Sequence, residues 1–185
     1  QTALSSQSDF FEAFRTRGLA VLSDDAGETE RSILLAPAQE LNRNLLNEAL
    51  TATAGLCFVA LSPERVSSFM LLPMSQPRQA NRDFSGDDDL LRLCVSVEAR
   101  EGVSTGISVD DRTATIRILG EPEPNPRKLI RPGHVFPVET RKGGVLVRNS
   151  LPEGALDLVR IAGFTEAALF LDLLDESGEY LSSEG

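Results

Sequence analysis

Short apolar runs and amphipathic stretches punctuated by proline or glycine take turns along most of this chain. That alternation is what most limits its fold. "SQSDFFEAFRTRG" puts Phe10, Phe11 and Phe14 on one helical face and stops at Gly18. "LAVLS" reads as a buried strand, "DDAGETE" as an acidic loop, and "SILLA" as a second strand. The stretch from Pro37 to Gly55 carries Leu41, Leu45 and Ala49 at helical spacing, with proline at its start and glycine at its end. "LCFVAL" is strand-like, and "SPERVSSFM" opens a short helix with Ser62 as cap and Pro63 in the first turn. Pro73 to Asp89 is loop-like, and "LRLCVSVEA" is another strand. Ser108, with Asp111 three residues on, caps a helix in "STGISVDDRTATIRIL". "GEPEPNPRK" is a rigid connector, followed by short strands in "HVFPV" and "GVLVR". A helix in "EGALDLVRIAG" closes at Gly163, "AALFLDLLD" is the last strand, and "ESGEYLSSEG" resembles a tail. The expected fold class is α/β (α+β), a mixed β-sheet sandwiched by helices. Two strand pairs lack an intervening helix, which argues against a purely parallel sheet.

With 185 residues the chain suits one domain spanning 1–185, with a core of about 11–178 and a tail at 179–185. A net charge of -10 repels phosphate backbones, so no nucleic-acid partner is expected. No apolar run approaches membrane-spanning length, and the N-terminal stretch lacks the basic start and apolar centre of a signal peptide. The expectation is a cytoplasmic protein with no membrane partner. Cys57 and Cys94 sit in apolar stretches and read as buried free thiols. Two cysteines and one histidine are too few for a cysteine/histidine zinc site.

That histidine, His134, lies in "RPGHVFP" between Pro132 and Pro137. It suits either proton transfer or a hydrogen-bonded role in a turn. Arg148 can meet a phosphate or pair with Glu153. The amides of the Ser104–Ser108 segment can face an anion or simply open the capped helix. The acidic runs "DDAGETE" and "GDDD" read as solvated loops.

Taken together, "GLCFVALSPER", "VSVEAREGVSTGISVDDRTATIR", "RPGHVFPV" and "GGVLVR" resemble 3,4-dihydroxy-2-butanone 4-phosphate synthase of the riboflavin pathway, in order and spacing, from about Phe11 to Gly178. The resemblance implies that family's mixed-sheet fold. It also implies a homodimer with active sites near the subunit interface, and a Mg²⁺-dependent conversion of ribulose 5-phosphate to dihydroxybutanone phosphate and formate.

Carried over position by position, the resemblance is uneven. The family's first loop motif, D-D-E-D-R-E-N-E-G-D, falls on "DDAGETERSI". Its substrate arginine lands on Glu28, its metal-binding glutamate on Thr29, its second glutamate on Arg31 and its closing aspartate on Ile33. The second motif, R-G-G-H-T-E-A, falls on "RNSLPEG", with the metal-binding histidine at Leu151 and the threonine at Pro152. Leucine offers no lone pair, and no shift of register supplies a second histidine. His134 matches the proton-transfer histidine, and Asp172 stands where the late catalytic glutamate would be. A strand cysteine of the family falls on Phe58, so Cys57 should point away from the site.

The implied remnants are His134 and Asp172 as catalytic positions, with Arg148, Asn149 and Ser150 as vestigial phosphate or substrate contacts and no metal ligands. One reading is a pseudoenzyme, a lyase homologue without a cofactor that acts through binding or assembly. Its partners would be a second copy, an active homologue or GTP cyclohydrolase II, and its ligand a phosphosugar; since the family is often fused to GTP cyclohydrolase II, an alternative is that the chain is the inert N-terminal half of such a fusion. The other is an active lyase, Mg²⁺-dependent, rebuilt around His134, Arg148, Asp172 and Glu30 and acting on a phosphosugar.

Overall fold

The computed structural model describes residues 7–24, 30–53, 55–74 and 92–181. Six strands, β1 (Ala20–Asp24), β2 (Arg31–Pro37), β3 (Cys57–Leu61), β4 (Val97–Ala99), β5 (Leu129–Glu139) and β6 (Ala167–Asp172), form one sheet in the order β1-β2-β6-β3-β5-β4. Only β3 and β5 run parallel; every other neighbouring pair is antiparallel. The sheet is mixed, as the missing crossover helices require.

Among the described residues the α-helices are α1 (Gln7–Arg17), α2 (Arg43–Thr51), α3 (Pro63–Ser68), α4 (Val109–Gly120) and α5 (Leu151–Ile161). Alternation along the strands separates two apolar clusters. One joins Cys57, Val59, Leu61, Val97 and Leu169 to Leu46 of α2 and to Ile116 and Leu119 of α4. The other joins Ile33, Leu35, Ala60, Val138 and Phe170 to Phe14 of α1 and to Ala155, Leu156 and Val159 of α5. Helices therefore cover both faces.

Local chemistry sets the boundaries. Ser62 and Ser108 cap α3 and α4 as their positions suggest, accepting from the backbone N–H of Arg65 and Asp111. Gly18 and Gly163 take positive φ after α1 and α5. Pro37, in contrast, does not start a helix. It ends β2 opposite Ala168, and Asn42 caps α2 instead, its Oδ1 accepting from Asn44 N (3.0 Å) and Leu45 N (3.1 Å). β1 is a half-exposed edge strand rather than a buried one. β4 is shorter than "LRLCVSVEA" suggests, with Leu93 and Cys94 making isolated bridges. "GVLVR" is no strand. Gly143 and Gly144, at φ +101° and +61°, turn the chain into a 3₁₀ turn that leaves Leu146 94% exposed. Nor does the described part of "ESGEYLSSEG", up to residue 181, trail away: a turn at Asp175–Gly178 brings Tyr180 back to bridge Leu174. The expected loop at Pro73–Asp89 falls almost wholly outside the described residues.

Candidate functional site

The registers Phe58↔Phe136 and Phe58↔Phe170 fix the geometry of one end of the sheet. His134 lies two residues before Phe136. Asp172 lies two residues after Phe170 on a strand running the other way. Both therefore come to the β3 end marked by Leu56, one on each side. The N-terminus of α5 faces the same region, since Leu151 packs into the cluster that holds Ile33 and Phe58.

His134 leaves the strand line in a bulge. Val97 pairs with Val135 but Glu98 pairs with Ile130, so Arg131–His134 stands out from the ladder. The Arg131–Pro132 peptide is cis. Gly133 N–H donates to Ser96 Oγ at 3.1 Å. A Cβ on Gly133 would come within 2.2 Å of the Val97 carbonyl, so this crossing needs glycine. The ring of His134 meets a carboxylate: Nδ1 lies 2.9 Å from Glu98 Oε2. Glu98 was not legible as a site residue. Its signal was a charge at a strand position flanked by Val97 and Ala99, all three of them buried.

Asp172 pairs across the ladder with Ile33 and sits near Arg31. Burial raises its carboxyl pKa; Arg31 and a hydrogen bond donated by the Tyr180 hydroxyl oppose the rise. The guanidinium of Arg31 lies 5.3 Å from the centre of the Tyr180 ring. Tyr180, the only tyrosine, thus caps two positions carried over from the family. The turn residues Ser177–Gly178 were the cue that the chain returns here.

A raised carboxyl pKa has a definite sign in stability. The stabilising contribution is present below the ordinary aspartate value and is lost as pH rises through the raised one. Asp172→Asn cannot ionise. Its stability relative to the parent should therefore grow as pH rises through the acid range, measured by urea unfolding at a series of pH values. A relative stability that falls with pH would contradict this account.

Arg148 and Ser150 turn inward. Arg148 is 9% exposed, and its Nη1 lies 3.7 Å from Glu153 Oε1. Ser150 Oγ donates to Glu153 Oε2, and Arg141 N–H donates to Glu153 Oε1 at 2.9 Å. Asn149 is exposed. In the Ser104–Ser108 segment, the amides of Ser104 and Gly106 donate to Asp111 Oδ2 at 3.2 and 2.9 Å. The helix's own aspartate therefore occupies amides that an anion would use, and these bonds hold its carboxyl pKa down against desolvation.

Ile33 is fully buried, and Leu151 packs against the same cluster. Phe58 stacks on Phe170 at 5.3 Å and lies 5.9 Å from Phe136. Cys57 faces the opposite cluster, where burial raises its thiol pKa. Both cysteines are free and buried. Glu28 and Thr29 lie outside the described residues; Glu30 directly precedes β2. Among the described residues, no group of three or more His, Cys, Asp or Glu side chains gathers to hold a metal ion. No described helix is long and apolar enough to cross a membrane.

The family model for 3,4-dihydroxy-2-butanone 4-phosphate synthase matches residues 8–185. The synthase of Chromobacterium violaceum is 33% identical over 169 residues, covering 91% of this chain and 77% of that protein. The riboflavin biosynthesis protein RibBA of Salinispora arenicola is 37% identical over 158 residues, which is 85% of this chain but only 36% of that longer protein. Among solved structures, a synthase in complex with two magnesium ions superposes with a TM-score of 0.80 at 28% identity, covering 97% of this chain and 80% of that one. The Candida albicans synthase, at 24% identity and a TM-score of 0.82, shares the fold over 97% of this chain and 86% of its own. This chain belongs to the 3,4-dihydroxy-2-butanone 4-phosphate synthase family of riboflavin biosynthesis.

The side chains of Ile33 and Leu151 offer a Mg²⁺ ion no ligand atom. The ion demands near-octahedral oxygen ligation. The resemblance puts a family aspartate and a family histidine at these two positions, and here both are apolar side chains packed in one cluster.

Proposed function

We propose that this chain keeps the synthase fold without the lyase reaction and acts in riboflavin biosynthesis through binding or assembly. One observation carries the reading: Ile33 and Leu151, at positions where the family handles sugar and metal, join a single apolar cluster. The partners proposed are a second copy of the chain, an active homologue or a GTP cyclohydrolase II domain, in the cytoplasm. A phosphosugar is the proposed ligand, with Arg148, Asn149 and Ser150 as vestigial contacts.

A second reading keeps an active lyase with Mg²⁺ and a rebuilt site. The feature favouring it is that His134, the proton-transfer position, retains a carboxylate partner 2.9 Å away. Calorimetric titration with ribulose 5-phosphate separates the two. Under the first reading, any binding has the same affinity with and without Mg²⁺. Tightening by about tenfold or more with the metal, roughly 1.4 kcal/mol, would favour the rebuilt site.

A further inference from the structure

We propose that Glu98 is a positioning residue for His134: its carboxylate holds the imidazole as the Nδ1–H tautomer and leaves Nε2 as a proton acceptor. The inference stands under either functional reading, because it concerns the ring and not turnover.

The arrangement is built by backbone rather than by chance contact. The bulge at Arg131–His134 carries the ring over β4, and the Gly133 crossing against Val97 lets the two segments touch. The Glu98 carboxylate is held in a slot on its other side. A Cβ on Gly106 would fall 2.1 Å from Glu98 Oε1, and Gly106 itself is at φ +77°. The Glu98 side chain is only 12% exposed, whereas the His134 side chain is 44% exposed. One partner is fixed and the other reaches solvent.

An ionised carboxylate has no proton to donate. With Oε2 2.9 Å from Nδ1, the proton in that bond belongs to the imidazole. In the neutral ring the remaining lone pair is then on Nε2, where it can accept a proton from a ligand at this end of the sheet. The Asp111 carboxylate, in the first turn of α4, is engaged elsewhere: its Oδ2 accepts from the Ser104 hydroxyl and from the Ser104 and Gly106 amides.

The chain's single histidine makes the test unambiguous. Long-range ¹H–¹⁵N correlation of the ¹⁵N-labelled protein, at a pH where the ring is neutral, reads both ring nitrogens. The expected pattern is a pyrrole-like, protonated Nδ1 and a pyridine-like Nε2. In Glu98→Ala the two nitrogens should exchange these signatures, because an imidazole freed of an acceptor at Nδ1 favours the Nε2–H form. A purely structural glutamate would leave the tautomer unmoved. A parent protein already in the Nε2–H form, or an alanine variant that keeps Nδ1–H, would overturn the proposal. Should the variant fail to fold, the parent's spectrum alone decides.

Discussion

Incubated with ribulose 5-phosphate and Mg²⁺, this protein should release no formate above the uncatalysed background. The family's reaction begins by removing a proton beside a ketone, and the metal stabilises the enediolate oxygens as they form. Each preorganised electrostatic partner of that kind is worth about 10²–10³ in rate. The resemblance puts such partners at Glu28, Thr29, Ile33 and Leu151, and none of these side chains reproduces the family's group. Ile33 and Leu151 also add apolar surface to the α5-side cluster.

Under the binding reading, what survives does not make up the difference. A positioned general base at His134 supplies roughly 10²–10⁴ by itself. It has no described metal site to stabilise the anion it would create. Asp172 is one methylene shorter than the family's glutamate and is hydrogen-bonded to Tyr180. Formate release near the common enzymatic range of about 1–10³ s⁻¹ would overturn the binding reading and establish the rebuilt site. Leu151→His alone should not restore release, because Ile33 and the changed loop beyond Asp24 remain.

Much of this fold was legible because its signals are local. Ser62–Pro63, Ser108 and the helix-closing Gly18 and Gly163 act on their own turn of backbone, so each marks the boundary it suggests. Pro37 misled because a fixed φ suits either a first helical turn or the end of a strand, and pairing with β6 chose the second. "GVLVR" has the composition of a strand, but left-handed Gly143 just before it and Gly144 at its start turn the chain into a 3₁₀ turn instead. The candidate site divides the same way. His134, Asp172 and Arg148 were found through motif position. Arg148's partner Glu153 stands in the same motif, whereas Glu98 and Tyr180, the neighbours of His134 and Asp172, arrive through a bulge and a chain reversal.

Glu153→Ala should destabilise the fold by about 3–5 kcal/mol, the usual result of removing one member of a buried ion pair. Glu153 has no exposed surface and stands in the first turn of α5, three residues after Ser150. Its two oxygens join three elements: Oε1 accepts from Arg141 N–H beyond β5 and lies beside Arg148, while Oε2 accepts from the Ser150 hydroxyl. Alanine would leave the Arg141 amide and the Ser150 hydroxyl without this acceptor and strip a carboxylate from a guanidinium that is 9% exposed. At roughly 2–4 °C per kcal/mol for a chain of this size, the melting point should fall by about 6–20 °C. Glu153→Gln keeps the volume and an oxygen for the Arg141 amide, so it should lose less than the alanine variant. The comparison also bears on function. If Arg148 is held chiefly by Glu153, the arginine is a structural strut of the α5 entrance, and a phosphosugar would have to compete with a buried carboxylate for it. An alanine variant melting within a degree or two of the parent would remove that obstacle and return Arg148 to the ligand.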